Sequence, residues 1–125
     1  MNTANFVSIP AQMFAEQEIL VFGARRMTYG DLWAQIQRLG NALRALGLRP
    51  GDRVGALQTN SDHYVVAYYA AAAIGAVFVP LNYRAKPPEL EYMITTAGIA
   101  VLLVGGRYRA LIDELRPRLT TVHTY

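Results

Sequence analysis

Few side chains in this sequence can do chemistry, and their spacing narrows the field further. There are two histidines, nine acids, a single lysine at Lys86, eleven arginines and no cysteine. Without thiols, disulfides, cysteine nucleophiles and thiolate metal sites are excluded. Asp62 and His63 adjoin as an acid–base pair might be listed on paper, but neighbouring helix positions point apart. They read as the start of a helix. His123 stands in a terminal segment with no second ligand at metal-binding spacing, so no metal site is expected. Gly105-Gly106 follows an apolar run, as phosphate loops do, yet lacks the third glycine and a clear helix start. Tyr64, Tyr68 and Tyr69 repeat at helical spacing and read as core. Asp31 reads as a helix cap and Asp113-Glu114 as a solvated face. This inventory contains no identifiable catalytic residue.

The elements that would position any site are easier to read. Beyond residues 1–12, taken as a loosely placed arm, short β-rich runs alternate with helical ones, the pattern of an α/β fold. Glu18 to Phe22 and Met27 to Tyr29 form two short strands about a tight turn, with Gly23 free to take positive φ. Leu32, Ile36, Leu39, Leu43 and Leu46 then recur at helical spacing. That helix begins with Thr28 as cap, Asp31 reaching back, and Met27 stapled to Leu32. Gly47 stops it. After the turn Leu48 to Asp52, the run Arg53 to Gln58 is a strand, and Thr59-Asn60-Ser61 caps a helix from Asp62 to about Ile74. That helix is apolar on nearly every side, so it belongs inside something larger. Ala76 to Pro80 is apolar on both faces, as a central parallel strand would be. Pro87-Pro88 opens another helix that Gly98 stops, and Ile99 to Val104 is a second two-sided strand. A short helix from Tyr108 to Leu115 ends at Pro117, and Leu119 to Tyr125 reads as the beginning of a further strand. No linker or low-complexity stretch divides the chain, so residues 1–125 read as a single partial domain.

At 125 residues with 53% hydrophobic content, the chain can bury a core and is not expected to be disordered. The net charge of +3 comes from arginines scattered at helix ends and turns. A nucleic-acid partner, which needs its cations on one face, is not expected. No apolar run is long enough for a transmembrane segment, and the first residues lack the basic start and apolar block of a signal peptide. A cytoplasmic location follows as the expectation.

Three stretches carry a resemblance in order and spacing. They are Met27-Thr-Tyr-Gly-Asp-Leu32, Ala45-Leu-Gly-Leu-Arg-Pro-Gly-Asp-Arg-Val54 running into Gln58-Thr-Asn-Ser61, and Ala73-Ile-Gly-Ala-Val-Phe-Val-Pro-Leu-Asn-Tyr-Arg84. Together, and on through Glu89-Leu90 to Val101-Leu-Leu-Val104, they resemble the opening of the AMP-forming acyl-CoA synthetases, the adenylate-forming superfamily. Pro80-Leu-Asn-Tyr-Arg84 is most similar to the fatty acyl-CoA and aryl-CoA ligases. The resemblance implies the first β/α units of a large N-terminal domain: a mostly parallel sheet flanked by helices, preceded by a β-hairpin.

It also implies a reaction. A carboxylic acid attacks the α-phosphate of ATP with Mg2+ to give an acyl-adenylate and pyrophosphate, and coenzyme A then displaces AMP. Such catalysis is positioning and charge stabilisation. The family's triphosphate loop rich in Gly, Ser and Thr, its metal or ribose acid and its late lysine have no counterpart here: the only serines are Ser8 and Ser61, and the only lysine precedes Pro87. The chain alone is therefore expected to be inactive and to bind none of these ligands tightly. By the resemblance, Arg84 lies at a strand end near the coenzyme A entrance, where its guanidinium fork would meet a phosphate. Asn82 and Tyr83 share that loop. A non-catalytic β/α binding or scaffold module, or self-association through surplus apolar surface, stays open as the alternative.

Overall fold

A computed structural model describes residues 2–125. The chain resolves into two compact units, each built from two stretches of sequence: residues 1–49 with 60–75, and residues 50–59 with 76–125.

The first unit holds α1 (Asn5–Met13), β1 (Glu18–Phe22), β2 (Arg25–Thr28), α2 (Tyr29–Ala45) and α3 (Asp62–Ala73). The expected arm is largely helical. Ala4 and Val7 are buried, and the Asn2 side chain donates to the carbonyl of Ala72 at 2.6 Å. Charge-free and interrupted by Pro10, this segment carries no strong period to announce a helix; burial of a few small side chains holds it. Met1, the first residue of that arm, lies outside the described residues. The outward side of α1 leaves Phe6, Ile9 and Met13 exposed.

β1 and β2 form an antiparallel hairpin closed by Gly23-Ala24. Gly23 has φ +60° while Ala24, like every other non-glycine among the described residues, does not take positive φ, which suits a type II′ turn. α2 begins as its sequence dictates. Asp31 N donates to Thr28 Oγ1 at 3.1 Å while Asp31 Oδ2 accepts from Thr28 N at 3.1 Å, a reciprocal capping box. Leu32, Ile36 and Leu43 are buried, each contributing about 1.5–3 kcal/mol. Leu46, the last of the apolar series, is exposed because the helix ends at Ala45 and Leu46 only caps it.

The capping box has a measurable consequence. Hydrogen bonds from the Thr28 backbone and hydroxyl hold the Asp31 carboxyl below the usual carboxylate range. A depressed folded-state pKa adds stability above the ordinary value, and that stability fades as pH falls through the lowered one. T28A is expected to cost about 1 kcal/mol near neutral pH. In urea titrations its gap from the parent should narrow below about pH 4, where carboxylates protonate.

The second unit holds β3 (Arg53–Leu57), β4 (Val77–Pro80), α4 (Pro87–Ala97), β5 (Ile99–Val104) and α5 (Arg109–Leu115), with one-turn 3-10 segments at Gly106–Tyr108 and Arg116–Arg118. The sheet is parallel, in the order β4-β3-β5. Both faces of β3 and β5 are buried, through Val54, Ala56, Leu57, Ile99, Val101 and Leu102. Leu90 and Ile94 of α4 and Ile112 and Leu115 of α5 share one core with Leu57, Ile99 and Leu102. Gly55 makes that packing fit: a Cβ there would lie 2.6 Å from Ile99 Cδ1.

One expectation is corrected here. β4 is an edge strand, not a central one; Val77 and Pro80 are exposed, and Pro80, with no N–H for a further ladder, suits an edge. The segment 119–125 pairs beside β5 only as the beginning of a strand. Val101 forms a single parallel bridge with Thr124, and Leu102 N donates to Thr124 O at 3.0 Å. No helix of the described residues is long and apolar enough to cross a membrane.

Candidate functional site

In a parallel sheet, the loops leaving the carboxyl ends of the strands share one edge, where ligands of open α/β folds gather. In the second unit the loops after β4 and β5 are both tied to the end of β3. Leu81 N donates to Ala56 O at 3.0 Å, and Gly105 N donates to Leu57 O at 2.9 Å. Leu81 is buried and anchors the first loop. Gly105 permits the second: a Cβ on it would lie 2.9 Å from Gln58 Cβ.

Beyond Leu81 the chain turns outward. Asn82 Oδ1 accepts from Arg84 N at 3.0 Å, an Asx turn that orders the loop. Ala85 N donates to Asn82 O at 3.0 Å, and Glu89 Oε2 accepts from Lys86 N at 2.7 Å as α4 begins at Pro87. Asn82, Tyr83 and Arg84, the residues singled out in the sequence, thus stand together, exposed, at the sheet's carboxyl edge. The Asn82 side chain orders the turn, while the guanidinium carbon of Arg84 sits 5.5 Å from the Tyr83 ring centroid.

The second loop supplies what the sequence reading missed. Tyr108, half-buried against the core, has its ring centroid 6.5 Å from that of Tyr83, with the planes at 48°. The guanidinium carbon of Arg107 lies 5.5 Å from the Tyr108 centroid. Each of the two neighbouring tyrosines thus has an arginine beside it, and neither arginine meets an acidic side chain among the described residues. The only sequence signal was Gly105-Gly106 after a strand; its use is a close backbone crossing, with the chemistry two residues on. The arrangement offers ring faces for a planar group and unneutralised cations for phosphates.

The remaining candidates are accounted for structurally. Asp62 is buried and its Oδ1 accepts from Arg25 Nη2 at 2.6 Å, while His63 is exposed. His123 Nδ1 lies 3.1 Å from Thr124 Oγ1. Asp113 meets Arg116 Nε at 3.0 Å and Arg109 Nε at 3.8 Å. These three residues, with Tyr125, line a cavity of about 410 Å³ beside α5. Tyr125 stacks under Arg116 at 4.3 Å, and burial pushes its phenol up despite that cation. A groove of about 400 Å³ in the first unit, along Arg25, Arg26 and Arg38, has two of its three arginines paired, Arg25 with Asp62 and Arg26 with Glu18. No group of three or more His, Cys, Asp or Glu side chains among the described residues could hold a metal ion. A triphosphate with Mg2+ does not fit what the described residues supply.

Comparison with known proteins places this arrangement. The model of the AMP-binding enzyme family matches residues 8–124, and the chain belongs to that family. Among its relatives, the 3-hydroxybenzoate–CoA ligase of Aromatoleum sp. (strain CIB) is 39% identical over 121 residues, covering 95% of this chain and 23% of the relative. A feruloyl-CoA synthase of Amycolatopsis sp. is 41% identical over 93 residues, covering 74% of this chain and 19% of its own length. The crystal structure of the anthranilate CoA ligase AuaEII with anthranoyl-AMP superposes with a TM-score of 0.95 at 30% identity, over 99% of this chain and 24% of that one. The chain thus spans about a quarter or less of these relatives, and its fold is that of the N-terminal domain of adenylate-forming enzymes.

Proposed function

We propose that this chain is the N-terminal portion of an ATP-dependent, AMP-forming ligase that activates an aryl or fatty carboxylic acid and transfers it to coenzyme A. The observation that carries the acceptor half of this reading is the Asn82-Tyr83-Arg84 loop: an unpaired guanidinium held over a tyrosine at the carboxyl edge of a parallel sheet. The relatives support the reaction class, each being named for a CoA ligase or synthase acting on an aromatic acid. In the reading, β3, β4 and β5 form the scaffold, and Arg84 takes a phosphate of coenzyme A. The groups that hold the triphosphate, metal and acyl group are supplied by sequence this chain does not contain. A cytoplasmic setting accompanies the reading.

The two half-reactions separate the roles. In a ligase carrying this segment, R84Q is expected to raise KM for coenzyme A about tenfold, the worth of one charge-assisted hydrogen bond. Carboxylate-dependent ATP–pyrophosphate exchange should stay within twofold of the parent, since no step of adenylation touches Arg84. An unchanged KM for coenzyme A, or an equal loss in both half-reactions, would remove Arg84 from the acceptor site.

A further inference from the structure

The first unit carries a surface that the ligase reading does not use. We infer that the groove between β2 and α2 is a docking site for an extended, acidic peptide segment of a partner protein, which adds to β2 as a further strand.

The strand itself defines the groove. Arg25, Arg26 and Met27 of β2 border it with Asp31, Ala34 and Arg38 of α2, around a volume of about 400 Å³. Successive strand residues point to opposite faces, and Arg25 accordingly reaches Asp62 while Arg26 reaches Glu18. Three consecutive residues therefore border one groove only where the strand turns its edge towards it. That edge is open. β1 and β2 make a two-stranded sheet, and among the described residues no backbone hydrogen bond joins Arg25, Arg26 or Met27 to any element but β1. The register along β2 is regular, whereas β1 carries a bulge between Glu18 and Leu20. A bulge turns an edge away from further pairing, so β2 is the edge fit to receive a strand.

Charge selects the occupant. Three guanidinium groups meet one carboxylate in the lining, and Asp31 is committed to the α2 cap through Thr28. Arg25 and Arg26 stay 54% and 65% exposed beside their acids, and Arg38, also exposed, meets no acidic side chain among the described residues. A second copy of β2 is a poor occupant, because it would set arginine against arginine across the new ladder. An acidic strand answers both needs: its backbone completes the ladder and its carboxylates face the guanidiniums. Ala34 and Met27, whose Sδ lies 3.5 Å from Gln35 Nε2, give the groove an apolar side. From Asp31 to Arg38 is two helical turns, about 10 Å, which about three to five extended residues cover.

The test is an NMR titration of the 125-residue chain and its R38Q and R38E variants with acetyl-Glu-Val-Glu-Val-Glu-amide. Two control peptides accompany it: the same sequence with glutamine for glutamate, and the acidic sequence N-methylated at its three central residues, which cannot complete a ladder. The acidic peptide is expected to bind with Kd of about 0.1–1 mM, to shift the amides of Arg25 to Thr28 and of Asp31 to Arg38, and to slow hydrogen exchange along β2. The glutamine peptide should bind about tenfold more weakly. R38Q should lose about threefold to tenfold for the acidic peptide and less than twofold for the glutamine one, and R38E should lose more. Arg38 is exposed, so an unchanged amide spectrum away from the substitution verifies the fold of each variant. An acidic peptide that leaves the β2 amides unmoved overturns the site. Equal binding of the glutamine peptide overturns the charge selection, equal binding of the N-methylated one overturns strand addition, and either result defeats the proposal. Vesicles of phosphatidylcholine and phosphatidylglycerol form the last arm. If they shift the groove amides and the acidic peptide does not, the surface belongs to a lipid headgroup and the peptide assignment falls.

Discussion

Arg25→Ala should destabilise the first unit by about 3 kcal/mol, although the side chain removed is half exposed. The reason lies with its partner. Asp62 is 1% exposed, Arg25 Nη2 reaches its Oδ1 at 2.6 Å, and its Oδ2 has no hydrogen-bond partner. Ser61, which caps α3 by accepting from Tyr64 N at 3.2 Å, gives the carboxylate no help. Deleting Arg25 therefore strands a buried charge that already lacks one of its partners. Deleting Asp62 instead leaves Arg25, at 54% side-chain exposure, free to hydrate. D62A should cost about 1 kcal/mol, and R25A/D62A should be no worse than D62A alone within about 0.5 kcal/mol. Urea unfolding of the four proteins measures this cycle. A double variant destabilised by the sum of the two single effects would show that the ion pair does not fasten the hairpin to α3.

That ion pair marks where a sequence stops being informative. Arg25 and Asp62 are 37 residues apart, and no local pattern links them. By contrast, the α2 cap was legible because Thr28 and Asp31 meet within one turn, and the glycine stops because positive φ at Gly47, Gly75 and Gly98 favours glycine. The apolar run of β5 also read correctly as a two-sided strand. β4 did not, because apolar content tells that a strand avoids water, not which neighbours it has; only the order β4-β3-β5 shows it at an edge. Nor does a sequence without linkers reveal two units each assembled from two stretches.

The candidate site divides the same way. Asn82, Tyr83 and Arg84 are contiguous and were found through a contiguous motif. Tyr108 and Arg107 reach them across a sheet edge, through a register set by Gly105 N to Leu57 O. A lone Arg-Tyr pair after two glycines carries no such information. Its meaning comes from the 6.5 Å between rings that are 25 residues apart in sequence, at Tyr83 and Tyr108.

The largest effect expected of this chain is an absence of turnover. Forming an acyl-adenylate needs the three phosphates of ATP held and neutralised while the carboxylate attacks, and losing that electrostatic stabilisation removes most of the rate. The chain offers one lysine, Lys86, beside Pro87 at the start of α4, and two serines, Ser8 and Ser61, the second of which caps α3. In the proposed reading, its cation at the sheet edge, Arg84, serves the acceptor and not a triphosphate with metal. The reading of the chain as an acceptor-side scaffold for a ligase is thus most directly tested by pyrophosphate release. The 125-residue protein would be incubated with ATP, Mg2+, coenzyme A and, in turn, benzoate-type, cinnamate-type and fatty acids. The account predicts release no faster than the ATP blank with every acid. Carboxylate-dependent release above that blank, from protein free of any other ligase, would contradict it.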